Sequence, residues 1–362
     1  MEEHGPAYLL EPERARGLML ASLTELGMPD DQAAICADCF LFASLRGVDS
    51  HGLIALFPTM ANNLKDGKIH TDVEVTVEQE TTGAARLEGH FAAGPVIGVR
   101  AIRLAMEKAR ATGVGMVVAA NCNHFGAASY YCSLAAREGM IGVAMCDAYP
   151  NVVPFGGTQA LHGTNPIAYA VPNRSGAPIL LDIATSVAAF GQVAKARRRG
   201  QPIPAGWALD AEGQPTTDAN AATMLMPFGG HKGYGFALLV DLLCAALAGS
   251  YMTREIRERL TAREPVGQSF FFLVIDPAAI VPIEQFYDRV DRLIADVHDT
   301  RPAQGFQGVL LPGELEERTY LQRSTEGIPL YTEDWDAILT NLGKAGLDSA
   351  RLEARYGPAP VK

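Results

Sequence analysis

The chain has 362 residues, 48% of them hydrophobic and 20% charged, with a formal net charge of −11. That length suits two domains with a sizeable core, and the acidic excess disfavours nucleic acid or an anionic membrane surface as the main partner. No apolar stretch reaches the roughly 18 residues of a membrane span, and the acidic opening MEEHGPAYLLEPERARG lacks the basic-then-apolar layout of a secretory signal, so a cytoplasmic protein is expected.

The first 70 residues carry helical patterns over 13–26, ending at Gly27, and over 29–45, ending at Gly47. Cys36 and Cys39 form a CxxC inside the second helix, with no second CxxC and no nearby histidine pair, so neither zinc nor another metal is expected there. The six scattered cysteines fit reduced thiols. Directly after that helix comes Leu45-Arg46-Gly47-Val48-Asp49-Ser50-His51-Gly52, a serine and a histidine on a turn between glycines. A histidine beside a hydroxyl is oriented through one ring nitrogen and titrates near neutrality, which suits general acid-base work. The competing reading is a helix stop and a polar turn.

The middle of the chain alternates short apolar strands with amphipathic helices. Strands are expected at 73–77, 115–119, 141–145, 167–171, 179–182 and 270–275, with helices over 95–112 and 129–138. The tail from Pro282 returns to helices around a loop at 301–312. Gly113-Val114-Gly115 follows a helix and enters a strand, the reverse of the order a Rossmann loop requires, and GxxxxGK[ST] is absent.

Other loops suit an anion. Residues 123–129 (NHFGAAS) run from a strand into a helix and suit pyrophosphate at its positive N-terminus. Residues 227–235 (PFGGHKGYG) repeat that logic and add His231 and Lys232. In both, the glycines also suit tight turns. Asp182 ends an apolar strand, where it accepts from ribose hydroxyls or caps the next helix. Residues 195–199 (KARRR) read as a solvated helix end or an anion patch.

Together LRGVDSHG (45–52), NHFGAASYY (123–131), GTNPIAYAVP (163–172), LDIATS (181–186), PFGGHKGYG (227–235) and LLPGE (310–314) resemble, in order, the malate/L-lactate/sulfolactate dehydrogenase family, which also holds ureidoglycolate dehydrogenase, diketogulonate reductase and piperideine-2-carboxylate reductase. The resemblance implies an α/β fold: a non-Rossmann NAD(P)-binding domain with a mixed sheet over 76–281, plus a mostly helical domain formed by 1–75 with 282–362. It implies NAD or NADP as cofactor, a small-molecule substrate, and a homodimer or larger homo-oligomer. By position His51 matches the proton donor and Ser50 its relay hydroxyl. Cofactor contacts match His124, Phe125, Gly126, Ala127 and Ala128, then Asp182, Ile183 and Ala184, then His231 and Lys232. Thr164 matches a substrate contact.

The chain departs from the family pattern at two places. Ala55 stands where an arginine usually pairs with the substrate carboxylate, and Phe190-Gly191-Gln192 replaces a basic residue, glycine, and lysine or aspartate. Losing a charge-assisted pair points to a bulkier or less charged substrate than malate. Phe190 and Gln192 then suit a ring and a neutral group, and Arg46 and His162 are candidate carboxylate partners, Arg46 also suiting a helix C-terminus. The expected activity is hydride transfer to or from a C=O or C=N carbon next to a carboxylate or amide. The alternative is a nicotinamide-binding pseudoenzyme acting as sensor or assembly partner.

Overall fold

The computed structural model describes residues 5–361, the Arg198 side chain aside. The chain opens with β1 (Tyr8–Leu10), α1 (Pro12–Glu25) and α2 (Asp30–Leu45), then a 3-10 turn at Asp49–His51 and α3 (Leu56–Lys65). The sheet region follows as β2 (Thr76–Glu80), β3 (Ala84–Glu88), α4 (Gly94–Thr112), β4 (Val114–Cys122), α5 (Ala128–Arg137), β5 (Ile141–Cys146), β6 (Ile167–Val171) and β7 (Ile179–Ile183). A small excursion holds α6 (Phe190–Arg198), β8 (Ala208–Leu209), β9 (Pro215–Thr216) and β10 (Met224–Leu225). Next come α7 (His231–Asp241), continued by a π-helical segment Leu242–Ala246, then α8 (Arg254–Thr261) and β11 (Gln268–Ile275). The last elements are α9 (Ile283–His298), α10 (Glu314–Glu326), β12 (Ile328–Leu330), α11 (Thr332–Lys344), α12 (Ser349–Tyr356) and β13 (Ala359–Pro360).

A seven-stranded mixed sheet, ordered β2-β3-β4-β11-β5-β6-β7, organises the middle of the chain. Only β3 and β4 run parallel, joined through α4, and the remaining pairs are antiparallel. β11 reads QSFFFLVI; Phe270 and Phe272 join the cluster with α4 and α5, while Phe271 packs with Val240, Cys244 and Ala248, so both its faces are covered and the apolar run needs no alternation. α4 begins with Pro95 in its first turn and ends at Gly113, whose φ of +84° closes the helix and turns the chain into β4. The sheet differs from expectation at its edge. The segment beginning at Val73 enters β2 only at Thr76, and β3 was unanticipated because its alternation of Ala85 and Leu87 inward with Arg86 and Glu88 outward spans only five residues.

The largest cluster packs α4 and α5 against one sheet face through Ile97, Ile102, Tyr131, Phe270 and Phe272. A second cluster joins both ends of the chain: Leu18 and Leu23 of α1, Phe40 of α2 and Phe57 of α3 meet Trp335, Ile338 and Leu352 of α11 and α12. There β1 is sandwiched between β12 and β13. α9 instead lies near the sheet, where Arg174 after β6 ion-pairs with Glu284, Asp288 and Asp291.

Candidate active site

The end of α2 delivers the Asp49–His51 turn into a cleft between these two packed regions. Ser44 Oγ donates to the Phe40 carbonyl and accepts the Leu53 N–H, both at 2.9 Å, which ties the chain after the turn back to the helix. Gly52 lies against that hydroxyl so closely that a Cβ there would fall 2.2 Å from Ser44 Oγ, so a side chain at this position would push the turn away. From the other end of the sequence, Arg323 of α10 pairs with Asp49 at 2.6 Å and also donates to the Ser44 carbonyl.

This scaffold fixes His51. Ser50 Oγ lies 2.8 Å from His51 Nδ1, which leaves Nε2 as the nitrogen available for chemistry. The ring centroid is 5.6 Å from that of His124, at the end of β4. Crowding by the cleft walls lowers the His51 pKa, and the Asp182 carboxylate opposes that shift. His124 is lowered further, first by the same desolvation and then by His51. Both Asp182 and His124 are walled by protein yet reached by water. The Gly126 N–H donates to His124 Nδ1 at 3.1 Å, so the neutral ring carries its proton on Nε2.

Asp182 ends β7 and accepts the Ser129 N–H at 2.8 Å. It therefore caps α5, and burial raises its pKa against this bond and the attraction of His51. The expectation of pyrophosphate at loop 123–129 is corrected here, because a carboxylate already fills the positive end of that helix. Phe125, Gly126, Ala127 and Ala128 are also turned inward: Phe125 packs on Tyr131, Phe270 and Phe272, while Gly126 sits beside Cys39. Of that loop's expected cofactor contacts, only His124 reaches the cleft.

The remaining anion-binding end is that of α7. Gly229 and Gly230 adopt φ of +55° and +63°, and the exposed His231 and Lys232 follow at the helix N-terminus. Among the described residues the His231 N–H meets no backbone acceptor. Phe228 N–H donates to the Thr185 carbonyl and Thr185 N–H to the Thr164 carbonyl, so Thr164, the Asp182–Ile183–Ala184 end of β7 and the α7 N-terminus form one wall. This set fits the diphosphate of a dinucleotide: unpaired N–H, helix dipole and lysine coincide there.

Four expected substrate contacts are not brought to this cleft. Arg46 is held 3.1 Å from Glu317 and stacked between Phe42 and Tyr320, so its guanidinium is already satisfied. His162 is 2% exposed, with Nδ1 2.5 Å from Asp241 Oδ2. Phe190 packs with Val193, Ile203 and Leu225 on the small β8–β10 unit, and Gln192 is exposed on α6.

The residue pattern did not single out the cavity beside His124. Leu56, Thr59, Met60 and Asn63 of α3 line about 200 Å³ together with Ile69, Asn123, Tyr149 and Gln268. Their signal was the i, i+3, i+4, i+7 spacing on α3 and a lone glutamine opening a phenylalanine-rich strand. A second hollow of about 310 Å³, lined by Gly200, Gln201, Pro202, Thr217, Asp218 and Asn220, contains none of the expected site residues.

With fold and cleft in view, the class of protein is clear: the chain belongs to the malate/L-lactate dehydrogenase family, whose model matches residues 10–339. Among its relatives, malate dehydrogenase of Pyrococcus horikoshii is 36% identical over 354 residues, covering 94% of this chain and 97% of the relative. Ureidoglycolate dehydrogenase (NAD(+)) of Escherichia coli K12 is 32% identical over 332 residues, covering 91% and 94%. The crystal structure of delta1-piperideine-2-carboxylate reductase from Pseudomonas syringae pvar. tomato superposes with a TM-score of 0.80 at 28% identity, covering 92% of this chain and 99% of that one. The family's dehydrogenases act on hydroxy or oxo acids with a nicotinamide cofactor.

Proposed function

We propose that this protein is an NAD(P)-dependent 2-oxo acid or cyclic imine reductase and dehydrogenase, acting at a carbon next to a carboxylate or amide. The observation that carries this reading is the convergence of the Ser50–His51 pair, His124 and Asp182 on one cleft beside the α7 N-terminus. A bound nicotinamide supplies or accepts the hydride. His51 Nε2 delivers the proton in reduction and removes it in oxidation, while Ser50 Oγ holds the ring through Nδ1. Asp182 favours the imidazolium by its charge. His124, neutral with its proton on Nε2, donates a hydrogen bond toward the reacting oxygen or nitrogen and helps confine it. His231 N–H and Lys232 hold the diphosphate, and Ile183 and Ala184 flank the cofactor.

In this reading the acid-base turn belongs to the helical part (1–75 with 282–362) and the cofactor wall to the sheet part (76–281). An exposed apolar row on α7 and its continuation, Phe236, Leu239 and Leu242, supports assembly into a homodimer or larger homo-oligomer. Six free, buried thiols suit a reducing, cytoplasmic setting. No helix among the described residues is long and apolar enough to cross a membrane. The test is absorbance at 340 nm with NADH and NADPH against 2-oxo acids and cyclic 2-carboxy imines. Turnover supports the reading, whereas cofactor binding without hydride transfer to any of them overturns it.

A further inference from the structure

The strand that carries His124 toward the cleft leaves the sheet through a bulge. Gln268 of β11 pairs with Cys122 of β4 and Phe270 pairs with Ala119, so Ala120 and Asn121 together face Ser269 alone. A bulge of this kind bends the strand that holds the extra residue. Asn121 takes the bend at φ +52°, and Gly267 lies so close that a Cβ there would fall 2.5 Å from the Asn121 Cα. Beside it, His90 and Phe91 adopt φ of +49° and +60°, a region disfavoured for residues with a Cβ and most of all for a bulky ring.

One carboxylate joins the two kinks. Glu88, at the end of β3, accepts the His90 N–H through Oε1 and Asn121 Nδ2 through Oε2, both at 3.0 Å. The Phe91 N–H donates to the Asn121 carbonyl at 2.7 Å, and the Phe91 carbonyl accepts from Asn123 Nδ2 and from the His70 N–H. Ile69, Asn123 and His124 line the cavity, whereas Glu88 stands behind that wall. A glycine at 121 would supply the same φ at no steric cost. An asparagine tied to a carboxylate also fixes the direction in which the chain departs, through a charge-assisted bond. Resting on the reading of His124 as a hydrogen-bond donor to the reacting atom, we propose that Glu88 is a positioning residue: it clasps the two left-handed kinks and so sets where His124 stands relative to His51.

The test is a double-mutant cycle in the full-length protein, assayed at 340 nm with NADH and NADPH against 2-oxo acids and cyclic 2-carboxy imines. Glu88→Ala should lower kcat about 10- to 100-fold, the cost of misplacing a positioned group by about 1 Å, with cofactor affinity changed less than about threefold. In a His124→Ala background the same substitution should lower kcat less than about threefold, because its effect passes through the ring already removed. Asn121→Gly relieves the left-handed φ while deleting the link to Glu88, so it should keep the bend and still lose kcat about 5- to 20-fold. An equal loss from Glu88→Ala with and without His124 overturns the assignment, as does an Asn121→Gly protein of full activity. If no substrate turns over, NMR of isotope-labelled histidine in wild-type and Asn121→Gly protein decides it. The His124 ring signal, held at Nδ1 by the Gly126 N–H, should shift or broaden in the variant, and an unchanged signal overturns the assignment. The proposed function stands or falls on hydride transfer by the wild-type protein alone.

Discussion

His51 and His162 each sit near an aspartate, yet the fold holds them in opposite ways. His51 is held at Nδ1 by a hydroxyl, faces Asp182 across a cleft, and keeps Nε2 toward space that a substrate can enter. His162 is sealed: Asp241 grips its Nδ1, its Nε2 is buried without a partner, and the Tyr234 ring lies 5.5 Å away. The same Asp241 accepts from Asn165 Nδ2 at 2.7 Å, and Asn165, at φ +37°, accepts the Ala148 N–H. That cluster rivets the segment between β5 and β6 to the end of α7. A histidine becomes an acid-base group when one nitrogen is fixed and the other is reachable; a second fixed point and a closed wall make it a fastener.

Substitutions sharpen this contrast. His51→Ala should lower kcat by about 10²- to 10⁴-fold with cofactor affinity retained, measured by stopped-flow turnover and fluorescence titration. Asp241→Ala should act on stability, costing about 3–5 kcal/mol in urea unfolding because it strands His162 and Asn165, while the folded fraction keeps its kcat within a few-fold. Equal kcat losses from both would erase the distinction.

Asp147 sharpens it by pH. It is 1% exposed, and burial pushes its pKa to about 8 despite the bond from the Ser269 N–H. The folded protein holds this proton more tightly than the unfolded chain, so stability declines as pH rises from about 4 toward 8. Asp147→Asn should remove that decline, giving a gain of several kcal/mol at pH 8 (about four pKa units at roughly 1.4 kcal/mol each) and little near pH 4, read by thermal unfolding across pH. A smaller effect is expected at the open site. The reductive rate should fall as pH rises through the His51 pKa, which lies below the ordinary histidine value, and the oxidative rate should rise there. Asp182→Asn removes the one group that raises this pKa, so both limbs should move to lower pH.

Much of the frame was legible in the sequence. The strand expected at 167–171 is β6 itself, and helices bounded by Pro29, Pro95, Gly47 and Gly113 fall within a residue or two of their places. The contact between Ser50 and His51 was legible because the two are neighbours in the chain. What escaped was set by distant partners. That Arg46 serves Glu317, and that Asp182 caps α5, depends on residues brought together by the fold, and no spacing in the chain encodes such pairings. Phe190 is drawn away by the small β8–β10 core, whose two-residue strands leave almost no periodic signal. The cavity escaped because its polar members come from α3, the loop after β4, the segment after β5, and β11.

The grip of Arg323 on Asp49 joins residues 274 positions apart. During synthesis the sheet region leaves the ribosome well before α10, so for that interval the His51 turn lacks its far anchor. A chain cut short before residue 323 should therefore hold the Ser50–His51 turn loosely, read by hydrogen exchange at residues 49–53. The ordering of that turn thus waits on a residue synthesised long after it.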